Sequence, residues 1–279
     1  MIAQPHWAWR DCHLALDSVS PTFDSLQLEA SAFYCALTRS SSLSADIDSD
    51  GKPSLGGKLL YAGELDARGR ALVIAGNVAG CATLVATADA AVQKQSIYDG
   101  VADFLVNSLD EALRILKNEI RTRKTVAVCV GVAPDSIEQE MKERGVQPDL
   151  VFGRRDQQRT MLQFGAGSRE VHLIEADTGR AFLTWRVAHA PARWMPKLDA
   201  IALECLASDS WERRWIRLSP RYCGRAASAQ RALHCDPQIA EEIISSIYAS
   251  VQRGEIGVEV AASLLIGDDH KVFRIPAAT

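Results

Sequence analysis

Apolar and polar positions change period several times along this chain, and the alternation is clearest between Arg70 and Phe152. Leu72, Ile74, Ala75, Val78 and Ala79 predict a buried helix that ends near Gly80, and Thr83 to Ala86 reads as a short strand. Asp89 is placed to cap a helix from Ala91 to Tyr98 that Gly100 closes, and Phe104 to Val106 predicts a short buried strand. Ser108-Leu-Asp-Glu111 has the form of a capping box, in which hydroxyl and carboxylate each satisfy an orphan N–H of the first turn. Leu109, Ala112, Leu113, Leu116 and Ile120 follow at helical spacing, and Lys117, Arg121, Arg123 and Lys124 suit the negative end. Thr125 to Val130 predicts another buried strand, Pro134 to Arg144 a helix stopped by Gly145, and Leu150 to Phe152 a last strand. Such alternation predicts a doubly wound parallel sheet with helices on both faces.

Outside that stretch the pattern is looser. The N-terminal region has weak periodicity, and Thr38 to Lys52 is polar enough to read as an exposed connection. Towards the C-terminus, Val171 to Ile174 and Ala181 to Val187 read as strands and Lys197 to Ala207 as a helix. Asp236-Pro237 opens a helix that Gly254 stops, and Ala261 to Ile266 and Val272 to Ile275 are strand-like. The predicted class is α/β: a Rossmann-like parallel sheet core at 55–155, an N-terminal extension at 1–54, and a C-terminal portion at 156–279 that packs back on the core as a second α/β portion.

Composition narrows the function classes. At 279 residues, 47% hydrophobic and 24% charged, the chain can bury a sizeable core. Lys plus Arg number 31 against 35 Asp plus Glu, so no cation excess points to nucleic acid or to an anionic membrane surface. The richest apolar stretch, Ala71 to Ala88, is interrupted by Gly76, Asn77, Gly80 and Thr83, so a membrane span of about 18 or more apolar residues is not expected. Arg10, Asp11, Asp17 and Asp24 break any signal-peptide pattern, and seven irregularly spaced cysteines suit free thiols in a reducing cytoplasm.

Candidate chemistry is sparse. Asp46-Ile-Asp-Ser-Asp-Gly51 resembles half of a calcium loop, but Gly57 stands where a bidentate Glu is needed. Cys205, Cys223, His234 and Cys235 lack the spacing of a zinc set, so no metal is expected. The candidate phosphate-binding turn is Leu59 to Arg70, where Gly63 and Gly69 would let a pyrophosphate approach the backbone. Glu64 and Asp66 set two carboxylates where the ligand's own charges would lie, partly offset by Arg68 and Arg70, so a plain surface turn is the competing reading. Arg154, Arg155 and Arg159 form a basic group beyond the last predicted strand, suited either to an anion or to a solvated loop.

Three segments carry a family resemblance: Asn77-Val-Ala-Gly-Cys-Ala-Thr-Leu84, Val106-Asn-Ser-Leu-Asp-Glu-Ala-Leu113 and Glu143-Arg-Gly-Val-Gln-Pro-Asp-Leu-Val151. In order and character they resemble the inserted α/β domain of urocanase (urocanate hydratase). Weaker echoes run through Phe182-Leu-Thr-Trp185, Glu212-Arg-Arg-Trp-Ile216, Arg253-Gly-Glu-Ile256 and Leu265-Ile-Gly-Asp-Asp-His270. The resemblance implies a cytoplasmic homodimeric lyase of histidine breakdown in which a tightly held NAD acts as an electrophile toward an imidazole substrate. It implies Gly63, Gly69, Asn77, Asp156 and Gln157 as cofactor contacts, and it puts Cys223, in Ser219-Pro-Arg-Tyr-Cys-Gly224, at the catalytic cysteine. The family's Gly-Leu-Gly-Gly-Met-Gly-Gly turn faces Glu64-Leu-Asp-Ala-Arg-Gly-Arg70, and its late His-His-Gly-Gly-Gly segment has no counterpart. Two readings follow: a shortened urocanase-like lyase that binds NAD and an imidazole-type molecule, or a cofactor-free structural or regulatory relative.

Overall fold

A computed structural model describes residues 25–39, 46–48, 51–152, 169–171 and 179–277. Its centre is a six-stranded, all-parallel sheet: β3 (Leu59–Glu64), β4 (Ala82–Ala86), β5 (Phe104–Val106), β6 (Val126–Val130), β7 (Leu150–Phe152) and β8 (Arg169–Val171), in the spatial order β5-β6-β4-β3-β7-β8. The connecting helices are α2 (Ala67–Ala79), α3 (Ala90–Tyr98), α4 (Leu109–Thr122) and α5 (Pro134–Glu143). Every residue of β4 and β6 is buried, as strands sandwiched between helix layers must be. Successive side chains go to opposite faces. Leu60, Val85 and Leu150 pack with α2, whereas Leu59, Leu84 and Val128 pack with Leu109, Leu116, Ile137 and Met141 of α4 and α5.

The local signals explain the boundaries. Asp66 accepts from the Gly69 N–H at 2.7 Å and caps α2, which begins at Ala67, five residues before Leu72, the first position that its periodicity marks. Gly80 ends it at φ +97°, and the Gly80 and Cys81 N–H groups both return to the Gly76 carbonyl at 2.9 Å. Ser108 accepts from Glu111 N–H at 3.3 Å, and the Glu111 carboxylate reaches the Asn107 N–H at 3.0 Å, one residue before the cap that the capping-box pattern predicts. Phe104 to Val106 is a strand but not a buried one: it forms the sheet edge, and Phe104 is 47% exposed. An apolar run reports strand character, not position within a sheet.

The second layer is a four-stranded antiparallel sheet, order β10-β9-β11-β12, from β9 (Ala181–Val187), β10 (Gln230–Cys235), β11 (Val260–Ile266) and β12 (Asp269–Ile275). With it come α6 (Pro191–Glu204), α7 (Trp211–Cys223) and α8 (Pro237–Gln252), the last capped by Asp236 as its sequence predicts. α6 begins before Lys197 because it tolerates Pro196 in its interior. A two-stranded ladder pairs β1 (Asp46–Ile47), within the stretch that reads as a connection, with β2 (Pro53–Ser54), just beyond it. Before it runs α1 (Ser25–Arg39), which packs along α2.

α7 joins the two sheets. Its consecutive residues point in directions about 100° apart, so each meets a different element. Glu212 pairs with Arg180, and Arg213 donates to the Leu206 carbonyl at 3.1 Å, at the end of α6. Arg214, 8% exposed, donates to the Val78 carbonyl of α2 and to Asp48, both at 2.6 Å. Trp215, 1% exposed, donates its indole N–H to the Ala232 carbonyl of β10 at 2.6 Å. Together with α1 and α7, α2 is enclosed between the sheets, which is why its sequence is apolar on nearly every side.

Candidate crevice at the sheet switch point

β3 leads through α2 to β4 on one side, whereas the chain returns through α5 to β7 on the other side of β3. The carboxyl ends of β3 and β7 therefore flank a topological switch point, the place where open α/β sheets hold ligands. A cavity of about 210 Å³ lies there. Tyr61, Ala62, Gly63 and Glu64 come from the end of β3, Arg68, Gly69 and Leu72 from α2, and Val151 and Phe152 from β7. Asp135 and Glu138 of α5 close one side and Phe33 of α1 the other.

The two aromatic rings of the wall support each other. Phe33 and Phe152 meet edge to face at 4.5 Å between centroids, and the Arg68 guanidinium lies 5.6 Å from the first centroid and 5.9 Å from the second. Both distances are within cation–π range. At the floor, the Tyr61 hydroxyl donates to Glu138 Oε1 at 3.1 Å. Burial, with the Glu138 carboxylate beside it, pushes the Tyr61 phenol far above its usual range, so it stays protonated and donates.

Gly63 and Gly69 both reach this crevice. Gly63 takes φ +73° with open space where a Cβ would stand, and Gly69 allows α2 to lie against β3, since a Cβ there would sit 1.8 Å from the Glu64 carbonyl oxygen. Asn77 does not reach it. It lies eight residues further along α2, about 12 Å at the helical rise, buried and donating to the Val101 carbonyl at 3.0 Å. Its role is to pin the chain after α3, at the opposite end of the helix from Gly69. Asp156 and Gln157, with Arg154, Arg155 and Arg159, lie outside the described residues.

Cys223 is the last residue of α7, 5% exposed within the core beneath the antiparallel sheet, and is not among the residues that line the crevice. Cys81, Cys129 and Cys235 are likewise buried, whereas Cys35 and Cys205 are partly exposed. Burial pushes the thiols of Cys81 and Cys235 up to about 12 and that of Cys129 to about 11, which leaves them protonated and poorly nucleophilic. His234 and Cys235 are neighbours on β10 and so face opposite sides of the sheet, while Cys205 bonds within α6 and to Ser246. Among the described residues no three His, Cys, Asp or Glu side chains gather as a metal-binding group. Asp48, from the calcium-like segment, is engaged by the Lys52 N–H at 2.9 Å and by Arg214.

What an anionic ligand would meet follows from this geometry. The Gly69 N–H at the start of α2, of the kind a pyrophosphate oxygen would accept from, is taken by the Asp66 carboxylate. Beyond Asp66, the described crevice wall presents the carboxylates of Glu64, Asp135 and Glu138 against the single guanidinium of Arg68.

Sequence reasoning finds the glycine turn but not its surroundings. Phe33, Asp135 and Glu138 are brought to the crevice by α1 and α5, and no local pattern marks them for it. The segment Gln147-Pro-Asp149, within the third of the segments that carry the resemblance, works at the other end of the strands: Asp149 accepts from the Leu59 N–H at 2.8 Å and pairs with Lys58 at 3.6 Å. The connection is therefore in the scaffold more than in the site. Residues 42–158, which include the glycine turn and all the strands from β3 to β7, match the family model described as the urocanase Rossmann-like domain.

Proposed function

We propose that this chain is a urocanase-family protein that keeps the Rossmann-like layer as a small-molecule-binding scaffold and does not work as an NAD-dependent urocanate hydratase. The observation that carries the reading is the Asp66 cap. Its carboxylate, 2.7 Å from the Gly69 N–H, supplies internally the negative charge that a dinucleotide would bring to this helix end. The residues present do not fit NAD: its diphosphate would approach Asp66 and Glu64 with like charge, and the cavity of about 210 Å³ is below the roughly 300–1,000 Å³ that encloses a drug-sized ligand. Cys223, the residue that the resemblance puts at the catalytic cysteine, is held in the core away from the crevice lining.

A second reading, a lyase that still holds NAD, draws on the turn glycines: Gly63 keeps a positive φ and open space, and Gly69 keeps the close helix-to-strand approach. One experiment separates the two. Protein purified without added nucleotide is denatured, the supernatant is assayed for NAD, and native protein is then titrated with NAD by calorimetry and incubated with urocanate. We expect no released nucleotide, no heat of NAD binding and no loss of urocanate absorbance. Stoichiometric NAD, or consumption of urocanate, would establish the lyase instead.

A further inference from the structure

If the helix end is closed to a diphosphate, the crevice must be matched to something else, and its wall indicates the chemistry. Phe33 and Phe152, 0% and 9% exposed, line one side beneath the Arg68 guanidinium, and Tyr61, Leu72 and Val151 add apolar or aromatic contact. Glu64, Asp135 and Glu138 bring three carboxylates to the same cavity. A cation already lies against the rings: it is the protein's own Arg68, on the partly exposed first turns of α2, within 5.6 and 5.9 Å of the two centroids. Aromatic faces with nearby carboxylates hold organic cations through the ring quadrupole and through Coulomb attraction in a partly desolvated site.

We infer that the crevice binds a small organic cation, an ammonium group on an apolar or aromatic body, in the place that the Arg68 side chain fills when no ligand is present. The inference rests on the reading that no dinucleotide occupies the site. Ring contact supplies the apolar part of recognition, and Glu138, oriented by the Tyr61 hydroxyl at 3.1 Å, faces the charge together with Asp135 and Glu64. Arg68 then acts as an internal competitor that the ligand displaces. Arg154, Arg155 and Arg159 lie outside the described residues.

The test uses the full chain and three probes of similar shape: benzyltrimethylammonium, benzyl alcohol and benzoate, each titrated while amide resonances are followed by NMR. We expect the cation to bind, to bind more weakly as salt is raised, and to exceed the alcohol and benzoate by about tenfold or more. Glu138→Gln keeps an acceptor for Tyr61 and should weaken the cation about threefold to tenfold, leaving the alcohol unchanged. Arg68→Ala should strengthen the cation by a similar factor, because the rings are no longer shared. Benzoate binding as well as the cation, or no cation binding to either the unaltered chain or Arg68→Ala, would overturn the inference. Neither result would bear on NAD, whose absence or presence is read by the nucleotide assay alone.

Discussion

The carboxyl ends of the parallel strands and the free edge of the antiparallel sheet are both places where a sheet leaves backbone and side chains unpaired, and this protein treats them in opposite ways. β3 and β7 pair only as far as Tyr61 and Val151, and beyond them aromatic, apolar and acidic side chains surround a cavity. At β10 the outward carbonyls are taken one after another: Gln230 by the Gln27 amide at 3.3 Å, Ala232 by the Trp215 indole at 2.6 Å and His234 by Arg180 at 2.8 Å. An open strand edge invites pairing with another chain, and covering it removes that hazard. The closed edge is where α1 and α7 join the two sheets, so stability should be concentrated there and ligand response at the crevice.

The largest expected effect tests the closed edge. Trp215→Ala removes a fully buried indole and leaves the Ala232 carbonyl without its donor, so unfolding by urea should show a loss of about 4 kcal/mol. A loss below about 1 kcal/mol would mean that the edge is dispensable.

Next is acid sensitivity. Burial, aided by the nearby Arg180 charge, lowers the His234 pKa from its usual 6.5 to about 4. Well above pH 6.5 the imidazole is neutral in folded and unfolded chains alike, and the full stability is present. As pH falls from 6.5 toward 4 the unfolded chain takes up a proton that the folded chain refuses, which removes on the order of 3 kcal/mol. The ring stacks on Phe182 at 4.5 Å between centroids, so His234→Phe keeps an aromatic partner. Comparing urea midpoints of the two proteins across this range should show a shallower acid loss in the variant; parallel curves would dismiss His234 as the cause.

The smallest effect belongs to the crevice. Asp66→Ala should cost about 1 kcal/mol as the cap to Gly69 is lost, whereas Asp66→Asn should be nearly neutral because the amide oxygen still accepts. Equal losses for both would show that the charge, not the hydrogen bond, holds the start of α2.

How far the sequence discloses these two regions differs for a physical reason. From β3 to β6 each strand is followed by its own helix, so Asp89, Ser108, Gly80 and Gly145 mark boundaries within a few residues of where the structure puts them. In the antiparallel layer β10 goes unread, because Gln230 and Arg231 interrupt its apolar pattern and are buried only through distant partners, Gln27 and Asp199. The helix α7 is likewise hidden: its charged residues look solvent-facing until Arg214 and Glu212 are seen at work between elements.

The sequence by itself determines the doubly wound layer, the caps that start and stop its helices, and the glycine turn with its untypical acidic residues, because each depends on neighbours within a few positions. Tertiary structure alone decides which strand becomes an edge, that Asn77 and Cys223 stand clear of the crevice lining, and that Phe33, Asp135 and Glu138 converge on the crevice. Those outcomes depend on which surfaces meet when α1, α5 and α7 close over the sheets. The partners are separated by tens to more than a hundred residues, and no local pattern records such a meeting.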